Sequence, residues 1–439
     1  MGISTLITLL STLRVDLPIS GTISIFYRVE LRDCHELYCA GHLLEASIAH
    51  YKLTQKTYFL NAMLRYVTLI GSTFGPEPGQ LHGYPGHEEL ELALMKLHHL
   101  TNASEHLELA RYFVEERGQR RNGEHYYEKE ARQNGAPLWP GHFKRAAWWE
   151  YMQAGRPIRE QSSLEGHAVR AMYFMCAVSD VGLQLNDTTL LASLARLYKD
   201  LVNGKMYVTY GIGSVHQWEG FGDPYDLPNN TAYCETCANI GVVYLTHRLL
   251  KWNWSALAEH GICPGDVADV LEGALYNSVA AGVSIDGRQF FYVNALETTG
   301  GWTHREDWFG TSCCPPNIAR LFCSLGEYPF LVKKDKVDGV RRVVVAVLLY
   351  MNSSAEIDVD GEKVKVNVKT EWPLSGRVDV SFENASDVEI ELRLRVPGWA
   401  KVFHLDVVAD IRLLFTGTLF IKMVSCITHL ENILAKQSL

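Results

Sequence analysis

The sequence is poor in cysteine, has no block of positive charge, and shows no internal repeat of fixed period. Ten cysteines in 439 residues are too few for a disulfide scaffold, so close pairs such as Cys234/Cys237 and Cys313/Cys314 read as sites instead. A net charge of −9 without a basic cluster argues against a nucleic-acid surface. Lack of a fixed repeat disfavours a solenoid. The apolar start, Met1 to Leu10, has no positive n-region and no clear cleavage site, which leans the expected compartment toward the cytoplasm. It is also too short for a spanning helix, so no membrane association is expected. Sequons at Asn102-Ala103-Ser104 and Asn384-Ala385-Ser386 carry little weight, because such triplets arise by chance.

What remains is an ordinary packed composition, 47% hydrophobic and 21% charged, in a chain longer than a usual single domain. From His35 onward Leu37, Ala40, Leu44, Ile48 and Tyr51 recur at steps of three and four, lining one helix face. Further helical patterns fall at 55–70, 86–101, 104–117, 142–153, 161–182, 188–203, 236–252, 265–282 and 314–325, separated by turns such as Gly75-Pro76-Glu77-Pro78-Gly79. A helical series without intervening strands predicts an all-α toroid. Beyond about residue 330 the character changes. The stretches 341–350, 355–359, 363–370, 377–382 and 388–396 are β-branched and partly alternating, which predicts an antiparallel sandwich. Residues 402–439 follow no turn logic.

Chemistry concentrates in two stretches: Trp218-Glu219-Gly220-Phe221 running on to Tyr233-Cys234-Glu235-Thr236-Cys237, and Thr311-Ser312-Cys313-Cys314-Pro315-Pro316-Asn317. Adjacent cysteines rarely bond to each other, since consecutive Cα atoms lie too close for relaxed disulfide geometry. Cys313 and Cys314 are better read as thiolates aimed at a common target, and zinc accepts Cys and carboxylate ligands tetrahedrally. Glu235, Cys237, Cys313 and Cys314 are therefore the candidate metal ligands. Spacing alone favours a closed structural zinc site. A redox Cys-x-x-Cys at 234/237 is disfavoured, because no thioredoxin-like βαβ pattern surrounds it.

Five motifs then carry a family resemblance: His35-Glu36-Leu37-Tyr38, Tyr84-Pro85-Gly86-His87-Glu88-Glu89, Glu165-Gly166-His167-Ala168-Val169-Arg170, Glu235-Thr236-Cys237, and Ser312-Cys313-Cys314-Pro315. In this order they resemble glycoside hydrolase family 127, the β-L-arabinofuranosidase family, and Val396-Pro397-Gly398-Trp399-Ala400 resembles a stretch of its following β-domain. The resemblance covers roughly residues 30–400. It implies an (α/α)6 barrel over 1–330, followed by an antiparallel β-sandwich over 331–439. Members of the family have further sequence before the point matching His35 and continue past residue 402, so both ends are expected to be shortened.

The resemblance further implies a zinc-dependent retaining glycosidase that releases β-linked L-arabinofuranose from an oligosaccharide or glycoconjugate. Cys313 resembles the nucleophile and Glu219 the general acid/base. Glu235, Cys237, Cys313 and Cys314 resemble the zinc ligands. His35, His87, His167 and Tyr292 resemble sugar-binding positions. The chemistry is coherent: zinc deprotonates a thiol outright, and retention needs a nucleophile and an acid/base flanking the anomeric carbon. The alternative is a non-catalytic carbohydrate-binding or structural zinc protein descended from such an enzyme. Another sugar specificity on the same site is a third reading. Trp148, Trp149, Trp218, Tyr225, Trp302 and Trp308 could stack on sugar, although core packing is the commoner use of such rings.

Overall fold

The computed structural model describes residues 31–134, 149–298, 300, 304–337, 339–383 and 388–400, together with the backbone of four further strands between 402 and 438. The chain forms two compact units, residues 1–241 with 295–302 and residues 242–294 with 303–439.

The first unit is helical. Helix α1 (Glu36–Thr54) buries Leu37, Ala40, Leu44 and Ile48, the stripe read from sequence, and ends at Gln55 in the left-handed conformation. Helices α2 (Tyr58–Thr73), α3 (Leu90–Thr101) and α4 (Ser104–Glu116) follow. A two-residue hairpin, β1 (Arg120–Arg121) with β2 (Glu124–His125), leads to α5 (Tyr126–Asn134). Helix α6 (Ala168–Leu185) is buried on nearly every side from Ala168 to Gly182, the signature of a helix inside a helical assembly. Its neighbour α7 (Thr188–Gly204) starts at Asp187, whose carboxylate accepts from the backbone N–H of Thr189 and Leu190. Helix α8 (Thr236–Leu250) begins in this unit.

The second unit adds α9 (Trp254–Glu259), α10 (Pro264–Gly273) and α11 (Cys314–Cys323). Helix α10 continues as a π-turn over Ala274–Val279. The strands are β3 (Phe330–Val337), β4 (Val340–Val347), β5 (Ser353–Val359), β6 (Glu362–Thr370), β7 (Arg377–Glu383), β8 (Val388–Arg395), β9 (Val402–Val407), β10 (Arg412–Phe415), β11 (Phe420–Ser425) and β12 (Ile433–Ser438). They form two five-stranded sheets, in the orders β10-β11-β8-β4-β3 and β5-β6-β7-β12-β9. Val343, Val345, Val347, Ile390 and Leu392 of the first sheet share one core with Val364, Val366, Val368 and Val380 of the second. That shared core makes the pair a sandwich.

Several sequence expectations are corrected. The helix expected over 161–182 starts only at Ala168, because Gly166 sits at φ +72° and His167 caps the helix. Of the helix expected over 142–153, residues 142–148 lie outside the described residues, and Trp149–Met152 form a single 3-10 turn. The sandwich is not purely antiparallel: β4 pairs with β8 in parallel, Val343 opposite Ile390. Strands also occupy parts of 402–438, a stretch with no turn signal to announce them. Among the described residues no helix is long and apolar enough to cross a membrane.

Candidate active site

In the first unit two loops meet at Glu219. The Gly166–His167 turn pairs with Gly220 in an antiparallel bridge, with Ala168 N–H donating to Glu219 O at 3.0 Å and Phe221 N–H to Gly166 O at 2.9 Å. The approach demands glycine, since a Cβ on Gly220 would sit 1.8 Å from Gly166 O. Glu219 itself adopts φ 54° at the end of the turn His216–Trp218. That conformation is uncommon for a side-chain-bearing residue, and such residues cluster at functional sites.

His167 orients the carboxylate. Its Nδ1 accepts from the backbone N–H of Val169 at 3.2 Å and of Arg170 at 3.5 Å, as the N-cap of α6. With Nδ1 an acceptor, the neutral ring carries its proton on Nε2, which donates to Glu219 Oε2 at 3.1 Å. Glu219 remains about one-third exposed, accessible to a substrate.

His35 and His87 join this centre. Ring centroids are 5.8 Å apart for His35 and His87, and 5.7 Å for His87 and His167. Burial pushes His87 well below the usual histidine range, with Arg170 and the neighbouring histidines acting the same way. His35 is lowered too, first by burial and then by Arg170. Tyr38 packs 4.3 Å from His87. Behind the ring lies a buried ion cluster: Arg117 meets Glu88 at 2.9 Å and Glu91 at 3.1 Å, all three fully shielded from solvent. Burial raises Glu88 to about 8 against the pull of Arg117.

The thiols divide between the units. In the first, Glu235 and Cys237 are buried, and their ligand atoms lie within 4.8 Å of each other. One oxygen of Glu235 is equally close to ligand atoms of His167 and Glu219. Cys234 turns away into an apolar cluster with Tyr207, Ala232, Leu227 and Leu296, and burial raises its thiol to about 12. It is a packing residue, and the redox pair falls. In the second unit Cys313 caps the N-terminus of α11, Cys314 is its first residue, and Pro315 and Pro316 fill its first turn. The two sulfurs are 3.7 Å apart, and Cys313 Sγ lies 3.2 Å from the Tyr292 hydroxyl. A helix N-terminus favours thiolate over thiol. Three thiols and a carboxylate are the donor types a zinc ion takes, so the residues suit the metal implied by sequence.

Of the aromatic candidates, Trp149 is core and Trp218 donates Nε1–H to Phe221 O, while Tyr225 and Trp308 are exposed. Trp148 and Trp302 lie outside the described residues. Sequence reasoning did not single out Arg170 or Tyr151. Arg170 donates to Gly86 O at 2.5 Å and lies 4.9 Å above the Tyr151 ring. Its position three residues after His167 on one helix was the available signal.

Known proteins match in the same terms. The model described as "Beta-L-arabinofuranosidase, GH127 catalytic domain" matches residues 26–327, and the corresponding middle-domain model matches 344–412. A non-reducing end β-L-arabinofuranosidase from Bifidobacterium longum is 35% identical over 387 residues, covering 84% of this chain and 55% of that protein. The crystal structure of a β-L-arabinofuranosidase of the family from Geobacillus stearothermophilus T6 is 36% identical with TM-score 0.83, covering 94% of this chain and 63% of that one. A further solved β-arabinofuranosidase of the family is 31% identical with TM-score 0.74, covering 92% and 60%. The chain thus spans about half to two-thirds of these relatives' lengths. The helix-rich portion with a separate β-sheet portion in this chain agrees with the likeness to the two solved structures. With the family's catalytic-domain model matched over more than half its residues, the chain belongs to glycoside hydrolase family 127.

Proposed function

We propose that the protein is a retaining glycoside hydrolase releasing β-linked L-arabinofuranose, with residues 1–330 as the catalytic domain and 331–439 as the β-sandwich domain. The observation that carries the reading is Glu219, held in a left-handed turn and oriented by His167 Nε2 at 3.1 Å, in a chain of this family. His35, His87, His167 and Tyr292 hold the sugar. Glu219 protonates the glycosidic oxygen as the Cys313 thiolate attacks the anomeric carbon, so a C–S bond forms while the C–O bond breaks. Water then attacks the same carbon, Glu219 takes its proton, and the thiolate leaves. Two inversions give retention.

Glu235, Cys237, Cys313 and Cys314 would hold one zinc ion, which when bound supplies deprotonation of the thiols at neutral pH. Cys237 and Cys314 act as ligands only, and the Tyr292 hydroxyl steadies the nucleophilic sulfur.

The test is hydrolysis of p-nitrophenyl β-L-arabinofuranoside beside other p-nitrophenyl glycosides. Glu219→Gln should lower turnover about 10²–10⁴-fold on poor leaving groups and least on good ones, which need no protonation. Cys313→Ser should abolish turnover, and an electrophilic arabinofuranose probe should label Cys313 by mass spectrometry. Metal analysis of protein purified without added zinc should give one zinc per chain, lost in Cys237→Ser. Labelling at Cys314 with Cys313 untouched would overturn the nucleophile assignment.

A further inference from the structure

We propose that Arg170 is a positioning residue that fixes His35 and His87 as hydrogen-bond acceptors for two hydroxyls of the sugar. The inference rests on the sugar-binding reading above and adds the polarity of each contact. His87 Nδ1 is 2.9 Å from Glu88 O, and His35 Nδ1 is 2.9 Å from Asp33 O. A carbonyl only accepts, so Nδ1 of each ring carries hydrogen, and in a neutral imidazole Nε2 is then a lone-pair acceptor. A sugar hydroxyl meeting either Nε2 must donate. His167 has the opposite polarity, because its Nδ1 is occupied by backbone N–H donors and its Nε2–H points to Glu219.

The scheme holds only while His35 and His87 stay neutral, since an imidazolium has no acceptor. Arg170 acts here in two ways. Its guanidinium donates to Gly86 O at 2.5 Å, anchoring the residue before His87, and lies 4.9 Å above Tyr151. Tyr151 in turn packs 5.6 Å from His167. Its charge also disfavours a second cation nearby. Burial and Arg170 are the two largest influences lowering both rings.

The other groups facing them are named readily. Tyr38 and Tyr173 contribute uncharged rings, and His167 acts in the same lowering direction as Arg170. The carbonyls of Asp33 and Glu88, and the Asp33 charge, pull weakly the other way. Glu88 is engaged by Arg117, Glu89 faces His42, and Glu36 accepts from Tyr66.

The experiment uses the full chain and ¹⁵N-histidine long-range NMR, with Arg170→Gln and Arg170→Lys as variants. The wild type should show His35 and His87 in the Nδ1–H tautomer. An Nε2–H tautomer for either overturns the proposal whether or not any variant folds. In Arg170→Gln the titration midpoints of both rings should rise, while Arg170→Lys stays near wild type. This arm needs no substrate, so it reads the same if arabinofuranosidase activity is absent. With p-nitrophenyl β-L-arabinofuranoside, the acid limb of kcat/KM should move up by the same amount through KM, with kcat unchanged. Unmoved midpoints in folded Arg170→Gln, or a limb confined to kcat, would overturn the assignment.

Discussion

The helical unit and the β-sandwich bury their interiors by opposite means. The sandwich core is almost wholly Val, Ile and Leu at alternating positions, and its stability comes from apolar area removed from water. The helical unit places Glu88, Glu91 and Arg117 at full burial beside the histidine centre. Such a cluster is weak evidence for stability, because the desolvation of its charged groups offsets their attraction. An apolar triad of similar volume would serve packing as well. The polar interior therefore serves to hold the His87 segment: Arg117 also donates to Pro85 O at 2.8 Å and Met152 O at 2.9 Å, two backbone points flanking the centre.

The comparison can be broken by substitution. Arg117→Met should destabilise the helical unit by about 3–5 kcal/mol, because it leaves the buried Glu91 and Glu88 groups without their cationic partner. The triple change Arg117→Met, Glu88→Leu, Glu91→Leu should recover most of that loss in urea denaturation while activity stays low. If the triple variant is as unstable as the single one, the cluster is a stability device and the contrast fails.

In the sandwich, Leu392→Ala should lower stability by about 2–5 kcal/mol through lost contact and a cavity, with kcat/KM unchanged at temperatures below its transition. A smaller effect is expected at the start of α7. Asp187→Ala removes a helix cap and should cost about 1 kcal/mol. The Arg159 hydrogen bond, with the backbone cap of Leu190 also contributing, holds the Asp187 carboxyl well below the usual range. Its contribution is therefore full above the unfolded value of about 3.9 and is lost as pH falls through the native value. A wild-type minus Asp187→Ala stability difference that grows on acidification would contradict this sign. Smallest is Lys363→Ala, which breaks an exposed pair with Glu356 and should leave the melting temperature unchanged.

Legibility followed the same physical line. Helix α1 was readable because an apolar stripe at steps of three and four has one burial solution. Strand β6 was readable because Val364, Val366 and Val368 alternate with polar residues. Strand β3 escaped, since Lys333-Lys334-Asp335-Lys336 breaks its alternation, and pairing with β4 along its whole length supplies the order instead. Helix α5 escaped because its sequence, YYEKEARQN, offers little beyond Tyr127 and Ala131 to bury. The start of α6 was misplaced because apolar periodicity runs on through Leu164, while the backbone at Gly166 turns to meet the Glu219 loop.

The residue types that could do the chemistry and the order of helical and sheet regions are written in the chain itself, because they follow from local pattern and from motifs in chain order. Tertiary structure alone decided which of these groups face one another, and with what polarity. That Cys234 packs in an apolar cluster while Cys237 approaches Glu235, that His167 donates to Glu219, and that Arg170 reaches Gly86 across 84 residues of chain depend on backbone directions set by distant contacts. Hydrogen-bond donors and acceptors are assigned by such neighbours, and no spacing in one dimension carries that information.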